Sequence, residues 1–524
     1  TAALRPTSRG RKYGFPRQTL YLRANSGSMS DYDDFIARVK VLSTIESIGG
    51  LLGWDQETMM PPKGGALRAE SLAFLSGLAH ARLVDPAMGE LLAKLGDAEL
   101  DEGEAANVRE VRHAWEKATK LPAELVEEIA RHKSLSLQVW QKARAEDDFA
   151  KFQPALEKMV ELQCRAAEHY GYDDNIYDAM LDNYEPGMTV AQLDPLFAGL
   201  REEIVPLVQA VGESDQPDMA FMERGPFPEA GQREFSLRVA AAIGFDFDAG
   251  RMDTSTHPFC SGAGPRDVRF TTRYDESFPF GCLYGVMHET GHGLYEQGLL
   301  AEHEGTPLGK AGSLGVHESQ SRLWENLVGR SREFWEHWLP DFCETFPHVG
   351  DLDLDTIHRA VNRVHPSLIR VEADEATYNL HIMLRYEVEK ALVNGEVAVG
   401  DLPQFWNSRM EKYLGITPPN DAQGVLQDIH WSMGAIGYFP TYTLGNLYAA
   451  QLWEATLRDI PDLPQKISRG ETAPLLEWMR SHIHVHGSRW EPEELVQRAS
   501  GAEPGAEAFV RYLKAKFGEL YGLA

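Results

Sequence analysis

The feature that most constrains this chain is the string His288-Glu289-Thr290-Gly291-His292 near its middle. On an α-helix, positions four apart differ by about 40° around the axis, so both imidazoles leave the same face and can share one metal ion. Glu289 lies about 100° from His288, where it is better placed to accept a proton from a water on the metal than to bind the metal. The string therefore predicts a helix that carries two metal ligands and a general base.

Neighbouring residues favour the same helix, because Ser277 is a good N-terminal cap and Pro279 suits a first turn that needs no N–H donor. The string also arises by chance in long chains, so the interpretation needs a third ligand. The metzincin pattern, in which a third His follows on the same stretch, is excluded because Tyr295 and Gly298 stand where its Gly and His should be. A Glu on a second helix downstream is the other solution, and Glu318 fits it. Its neighbour His317 is the alternative ligand, because sequence alone does not orient that helix.

The balance of charge excludes two classes of partner. The formal net charge is −28, although the first 28 residues contain six basic and no acidic side chains. An acidic body repels nucleic acids and anionic membranes at long range, so we expect neither as a partner. The four cysteines show no disulfide framework and no two are separated by two residues, which favours a reducing, cytoplasmic setting.

We expect one continuous body, because no repeat, linker or low-complexity block divides the chain. Residues 1–28 are interpreted as a leader or an added extension before Met29, expected to be disordered, with an organelle transit peptide as the alternative. Residues 29–524 form the predicted domain. Within it, the helical pair in residues 29–100 is interpreted as a lid over a cleft, with a plain helical hairpin as the alternative.

Hydrophobic spacing predicts a mainly α-helical fold. Besides the metal helix, the predicted helices cover residues 66–81, 101–118, 123–145, 149–171, 190–211, 230–243, 331–346, 352–363 and 366–393. The clearest strand signal, at 267–274, lies just before the metal helix. Zinc peptidases commonly hold the substrate backbone against an edge strand, so this strand is a candidate for peptide binding, with a purely structural role as the alternative.

Six motifs follow one another along the chain: His257-Pro258-Phe259, Asp267-Val268-Arg269-Phe270-Thr271, the His288 helix, His317-Glu318-Ser319-Gln320, Ile369-Arg370-Val371-Glu372-Ala373-Asp374 and Gly424-Val425-Leu426-Gln427-Asp428-Ile429-His430-Trp431. In this order they resemble the carboxypeptidase Taq family of thermostable metallocarboxypeptidases, over residues 29–524. The resemblance implies a mainly α-helical body with a deep active-site groove, similar to neurolysin and angiotensin-converting enzyme, and usually a homodimer. It also implies one Zn²⁺, or Co²⁺ in some members, and removal of C-terminal residues from peptides with broad selectivity.

The resemblance also assigns roles to single residues. It supports Glu318 over His317 as the third ligand. It suggests that His430 and Tyr438 act like the transition-state donors of angiotensin-converting enzyme, with core packing or support of other site residues as the alternative for each. Both lie in a segment rich in glycine and aromatic residues, where Tyr and His side chains can donate hydrogen bonds to a developing oxyanion.

A carboxypeptidase must recognise the terminal carboxylate of its substrate, and in so acidic a chain this anion needs a local cation. Arg370 is the candidate, because its planar guanidinium can take a carboxylate with two parallel N–H donors. The alternative is an internal ion pair with Glu372, Asp374 or another carboxylate. Asp374 is a candidate to orient Arg370 or a ligand imidazole, and His257, from the first motif, is assigned to substrate binding.

Two other functions compete with this interpretation. An endopeptidase or a dipeptidase would use the same metal centre without reading a free carboxylate in the same way. A di-iron helical protein shares the Glu-x-x-His spacing of Glu289 and His292. The only other such pair in the sequence, Glu110 and His113, lies opposite an apolar stripe and is predicted to face solvent, which argues against that function.

Overall fold

Helices dominate the structure, a computed structural model that describes residues 30–523; the predicted leader at residues 1–28 lies outside this range. The mainly α-helical class is therefore confirmed. The α-helices in chain order are α1 Asp31–Thr58, α2 Gly65–Leu83, α3 Pro86–Gly96, α4 Glu102–Lys120, α5 Ala123–Ala145, α6 Phe149–Tyr170, α7 Ile176–Leu181, α8 Val190–Gly212, α9 Glu229–Ala242, α10 Pro279–Gly298, α11 Leu314–Arg322, α12 Arg332–Thr345, α13 Leu354–Val361, α14 Tyr378–Val393, α15 Leu402–Leu414, α16 Pro440–Asp459, α17 Leu463–Ile467, α18 Ala473–His482, α19 Pro492–Ser500 and α20 Glu507–Tyr521. Among these described helices, none combines the length and the hydropathy that a membrane crossing requires.

A three-stranded sheet precedes α10. Its strands are β1 (Gly250–Thr254), β2 (Cys260–Gly264) and β3 (Asp267–Thr272), in the order β1-β3-β2, with β1 parallel and β2 antiparallel to β3. The sequence predicts β3, at residues 267–274, but β3 lies between the other two strands, so its expected role as an edge strand for the substrate backbone is wrong. The sequence gives no clear signal for the other two strands. Both are five residues long and rich in small or charged side chains, which have low β-propensity.

The N-terminal helices α1 and α2 form the hairpin expected within residues 29–100, and α1 packs against β2. Trp54, near the end of α1, lies against the guanidinium groups of Arg251 and Arg269, which are 5.1 and 4.7 Å from its ring centroid. These two arginines are paired across β1 and β3. Cation–π contacts therefore hold the hairpin against the sheet, and its function as a lid stays a prediction.

Helix α10 carries the histidine motif and begins at Pro279 as expected, but Ser277 does not cap it. Phe278 occupies the cap position without a side-chain hydrogen bond. The Ser277 hydroxyl donates instead to the Asp275 carboxylate over 2.6 Å. The capping prediction is wrong because a carboxylate two residues away competes for the hydroxyl group.

Helix α11 packs tightly between α10 and α16, and two glycines permit this. A Cβ at Gly291 of α10 would lie 2.6 Å from the carbonyl oxygen of Gln320 in α11. A Cβ at Gly445 of α16 would overlap the Glu318 side chain. Because glycine has no side chain, three helices meet at the ligand positions.

Helix α14 begins at Tyr378, well after the start of the helix predicted at 366–393. The Asp374 carboxylate accepts hydrogen bonds from the backbone N–H groups of Ala376 and Thr377 at 2.9 and 3.0 Å, a local pattern that competes with helix formation. The first part of that prediction is therefore wrong. The segment is a loop that contains a 3-10 turn at Arg370–Glu372.

Candidate metal and active site

Three side chains converge between α10 and α11. The Nε2 atoms of His288 and His292 lie 3.6 and 3.4 Å from Oε2 of Glu318, and one ligand atom from each residue lies within 4.8 Å of the other two. Two imidazole nitrogens and a carboxylate oxygen at this spacing suit one divalent ion. Within residues 30–523, no other group of His, Cys, Asp and Glu side chains meets this geometry.

The charges around Glu318 keep this ligand ionised. Burial by itself would raise its pKa, but Arg322 and His288 hold that pKa well below its usual range. The Nε atom of Arg322 donates to Oε1 of Glu318 over 2.7 Å. This leaves the other carboxylate oxygen facing the two histidines, so Arg322 orients the ligand.

His288 is oriented by a second carboxylate. Its Nδ1 atom lies 2.9 Å from Oε2 of Glu325, and Glu325 contacts Arg322 at 3.2 Å and Arg330 at 3.5 Å. Glu325 lies in a π-helical stretch, Leu323–Val328, that continues α11. Sequence reasoning missed Glu325, and the available signal was its spacing of two helical turns from Glu318.

His292 is supported by an imidazole instead. Its Nδ1 atom lies 2.6 Å from Nδ1 of His317, and Nε2 of His317 lies 2.8 Å from Oε1 of Glu296. Since Nε2 of His292 faces Glu318, a metal ligated there leaves the proton on Nδ1, which makes His317 an acceptor from His292 and a donor to Glu296. The structure thus places His317 behind the ligand His292, away from the point where the Nε2 atoms of His288 and His292 converge.

The general base predicted from the motif, Glu289, is buried next to the ligands. It makes no side-chain hydrogen bond to another described residue. Burial raises its pKa to about 7, against a smaller lowering by His288. Burial also lowers the pKa of His292 to about 3, which keeps that imidazole neutral and able to bind a metal. A carboxyl group with a pKa near 7 can both accept and release a proton at neutral pH.

Arg370 is buried in an internal ion pair. Its Nε and Nη2 atoms donate to Oδ1 of Asp428 at 3.1 and 3.0 Å, and its Nη1 atom donates to the Tyr378 hydroxyl at 3.1 Å. The carboxylate partner is therefore neither Glu372 nor Asp374. A guanidinium has five N–H donors, so one N–H on each terminal nitrogen of Arg370 has no partner among residues 30–523.

Asp428 is shared with a second buried arginine. The Nε atom of Arg385, in α14, donates to Oδ2 of Asp428 over 2.7 Å. Although burial would raise the pKa of Asp428, Arg385 and Arg370 hold it well below its usual range. Two guanidinium groups around one carboxylate leave a net positive charge in the interior, which favours a further anion. Sequence reasoning missed Arg385, whose signal is a single Arg within a largely apolar helix.

His430 and Tyr438 lie together in the segment before α16, with ring centroids 5.4 Å apart. The Tyr442 hydroxyl lies 3.4 Å from Nε2 of His430, and the Tyr442 ring is 5.3 Å from that of Tyr438. Burial raises the pKa of Tyr438, and the charge of Glu318 raises it further. Burial lowers the pKa of His430 to about 3. Both side chains are therefore neutral donors, and Tyr438 lies within the field of a metal ligand.

The remaining two residues predicted from the sequence are His257 and Asp374. His257 is exposed in the loop between β1 and β2. Its pKa is lowered, first because surrounding protein displaces part of its water and second by the cation of Arg370. Asp374 orients neither Arg370 nor an imidazole, because its Oδ2 atom accepts from the backbone N–H of His365 and the hydroxyl of Thr377, at 2.9 and 2.8 Å. It closes the loop before α14.

Glu110 and His113, the second Glu-x-x-His pair that a di-iron site would need, do not belong to this site. His113 pairs with Asp182 at 3.1 Å, and Glu110 pairs with Arg109 at 2.7 Å. Both therefore have partners of their own, away from the three converging ligands.

Comparisons with known proteins find metallopeptidases that are similar to this chain. The model of the carboxypeptidase Taq (M32) metallopeptidase family matches residues 34–517. Thermostable carboxypeptidase 1 of Thermus thermophilus is 46% identical over 508 residues, which cover 94% of this chain and 99% of that protein. Carboxypeptidase 1 of Bacillus subtilis is 40% identical over 492 residues, 93% of this chain and 98% of that protein.

A solved structure shares the fold over the same span. An M32 carboxypeptidase from Deinococcus radiodurans R1 superimposes with a TM-score of 0.92 at 41% identity, and the match covers 94% of this chain and 100% of that chain. The arrangement of helices around the converging ligands is therefore similar to that of a known carboxypeptidase.

Proposed function

The chain belongs to the carboxypeptidase Taq family of metallopeptidases, and we propose that it removes C-terminal residues from peptides with broad selectivity, using one Zn²⁺ held by His288, His292 and Glu318. Family membership makes it a metallocarboxypeptidase. The observation that carries the choice of ligands is the convergence of two Nε2 atoms on one oxygen of Glu318. Two imidazoles and a carboxylate suit Zn²⁺, and Co²⁺ is the alternative ion.

The proposed mechanism is hydrolysis by an activated water. A bound Zn²⁺ supplies a water of lowered pKa and polarises the scissile carbonyl. Glu289 takes a proton from the attacking water and then delivers it to the leaving amine. Its burial beside His288 and its pKa of about 7 support this role.

His430 and Tyr438 are proposed to donate hydrogen bonds to the oxygen on which negative charge develops. Their neutral donor groups and their mutual contact support this role. The Nδ1 atom of His430 is buried and lies 3.9 Å from Oδ1 of Asp428, so Nε2, on the side of Tyr442, is the proposed donor. Loss of one such donor typically lowers turnover by roughly 10²–10³-fold.

Arg370 is proposed to anchor the terminal carboxylate of the peptide, with His257 at the same subsite. The net positive charge of Arg370, Arg385 and Asp428 supports this, because an incoming carboxylate balances it. The free N–H groups on the two terminal nitrogens of Arg370 suit a carboxylate with two oxygens. This subsite distinguishes an exopeptidase from an endopeptidase on the same metal centre.

A peptide and its C-terminally amidated twin test this proposal. Mass spectrometry should show stepwise loss of C-terminal residues from the free acid and little cleavage of the amide. Arg370→Ala should lower kcat/KM for the free acid roughly 10- to 100-fold and narrow the gap between the two peptides. Thermal unfolding of the variant checks that loss of the Asp428 partner has not unfolded it. Efficient internal cutting of the amide by the unmodified protein would favour the endopeptidase.

We also propose that the protein is a homodimer and works in the reducing environment of the cytoplasm. The dimer rests on the family resemblance, and light scattering measures it. The compartment is supported by the four cysteines, Cys164, Cys260, Cys282 and Cys343, all of which are free thiols. Peptides are the proposed partners, since the acidic surface disfavours nucleic acids and anionic membranes.

A further inference from the structure

We infer that Glu389 is the positioning residue of the donor loop, defined here as residues 430–438, which carries His430 and Tyr438 at its two ends. The inference rests on the proposed roles of these two residues in the reaction. Glu389 belongs to α14 and is completely buried. Within residues 30–523 it forms no hydrogen bond or ion pair with the metal ligands or Glu289, and two of its three hydrogen bonds are to the loop.

One carboxylate binds both ends of the donor loop. Oε1 of Glu389 accepts a hydrogen bond from the indole Nε1 of Trp431 at 2.8 Å. Oε2 accepts from the backbone N–H of Gly437 at 3.0 Å. Trp431 follows His430 and Gly437 precedes Tyr438, so each contact lies one residue from a proposed donor. The carboxylate thereby fixes the separation of the two donors.

The backbone conformation at Gly437 directs its N–H group towards the Glu389 carboxylate. Gly437 has a φ of +94°, and a Cβ at this position would lie 2.7 Å from the carbonyl carbon of Met180. Both the positive φ and the close approach require glycine. The direction of the N–H group is therefore set by the fold, and Glu389 is the acceptor that it meets.

The remaining contact of Glu389 provides a control. The Tyr177 hydroxyl donates to Oε2 at 2.6 Å, and Tyr177 lies in α7, outside the donor loop. The carboxylate thus accepts three hydrogen bonds from uncharged donors. Within residues 30–523 it forms no ion pair.

Packing alone does not account for this residue. Burial raises the pKa of Glu389 to about 7, which shows that its charged form is costly at this place, and an apolar side chain would avoid that cost. A Gln offers one acceptor oxygen and a pair of donors. It would therefore leave the N–H of either Trp431 or Gly437 facing another donor, and one end of the loop would be released.

Glu389→Gln, with Tyr177→Phe as the matched control, tests the inference. Both substitutions remove a contact at the same buried carboxylate, but Tyr177→Phe leaves both ends of the loop bound. With a free-acid peptide, we expect Glu389→Gln to lower kcat roughly 10- to 100-fold, with KM and bound metal unchanged. We expect Tyr177→Phe to keep kcat within about twofold.

A double variant separates positioning from a general structural effect. If Glu389 acts through Tyr438, adding Tyr438→Phe to Glu389→Gln should multiply the loss of kcat by much less than Tyr438→Phe does alone. Fully multiplicative losses, or an equal loss of bound metal, would overturn the inference. So would a kcat within twofold for Glu389→Gln.

A different set of results is expected if His430 and Tyr438 do not act as donors in the reaction. If neither Tyr438→Phe nor His430→Ala lowers kcat, their roles in the reaction are wrong, whatever Glu389→Gln does. If Glu389→Gln does not fold, Trp431→Phe replaces it, because this change removes the indole donor at one end of the loop and leaves the Gly437 contact in place. The smaller ring also leaves a cavity beside Trp406, so thermal unfolding must show that the variant is folded. We expect it to lower kcat with bound metal unchanged, and an unchanged kcat would overturn the inference.

Discussion

The two halves of the candidate site are held in different ways. In the metal half, formed by α10 and α11, each ligand is backed by charged or ionisable groups, such as Arg322 behind Glu318 and Glu325 behind His288. The donor loop, in contrast, is bound by uncharged donors to the single carboxylate of Glu389. Changes at the three ligands and the side chains behind them should therefore alter metal binding, whereas changes in the donor loop should alter turnover alone.

The largest expected effect separates the base from the ligands beside it. Glu289→Gln should keep the metal, because Glu289 is not one of the three converging residues, and should lower kcat roughly 10²–10⁴-fold, the usual contribution of a general base. Kinetics on a free-acid peptide, together with metal analysis, measure both quantities. Thr290→Ser, in the next residue of the same helix, is the control. Near-normal turnover of Glu289→Gln would show that another group accepts the proton.

The next effect belongs to the donor loop. Tyr438→Phe and His430→Ala should each lower kcat roughly 10²–10³-fold with little change in KM, because their hydrogen bonds strengthen only in the transition state. Tyr184→Phe is a matched control, since its ring packs on Tyr438 at 5.0 Å without belonging to the donor loop. A variant whose kcat stays within about twofold would return that residue to a packing role.

The contrast between the halves also explains what sequence could predict. His288, Glu289 and His292 follow from helical spacing within one element. On the next helix, spacing leaves Glu318 and His317 as candidates, and the family resemblance favours Glu318. Helix α5, at Ala123–Ala145, has the predicted bounds of 123–145 for the same reason: its pattern is local.

Contacts between distant segments could not be predicted in this way. Arg370 meets Asp428 across 58 residues, and no periodicity links them. The helix expected over 366–393 is interrupted by the side chain of Asp374, which competes for backbone N–H groups. Glu389 carries no sequence signal at all, because its partners come from α7 and the donor loop.

Smaller effects on metal affinity should distinguish Glu325, which lies behind His288, from His317, which lies behind His292. Glu325→Gln removes a charge that faces Arg322 and Arg330, so it should weaken Zn²⁺ binding more than His317→Gln, which removes an imidazole partner of His292. Losses of roughly 10- to 100-fold in affinity are typical of such residues. Competition with a chromogenic chelator measures the affinities.

Glu296, whose Oε1 atom lies 2.8 Å from Nε2 of His317, provides the control for this prediction. Glu296 is about one-third exposed, so Glu296→Gln should change the affinity least. Equal Zn²⁺ affinities of Glu325→Gln and the unmodified protein would show that Glu325 does not contribute to metal binding.

The last effect concerns stability rather than turnover, at the buried carboxyl group that anchors α11. Glu185 accepts a hydrogen bond from the backbone N–H of Gly315, and burial raises its pKa to about 8. Because the folded state binds this proton more tightly than the unfolded chain, whose carboxyl groups titrate near 4.3, the stabilisation is present at low pH and is lost as pH rises towards 8. Glu185→Gln should therefore flatten the fall in unfolding free energy between pH 5 and 8, measured by chemical denaturation. Parallel curves for the two proteins would contradict this assignment.

Bound metal and turnover, measured together in His292→Ala and Tyr438→Phe, test the division between the two halves most directly. Both variants should have lost most of their activity. We predict about one metal ion per chain in Tyr438→Phe and none retained after dialysis in His292→Ala, because only His292 supplies a ligand atom. A Tyr438→Phe protein that loses its metal, or a His292→Ala protein that keeps one ion and its activity, would contradict the account.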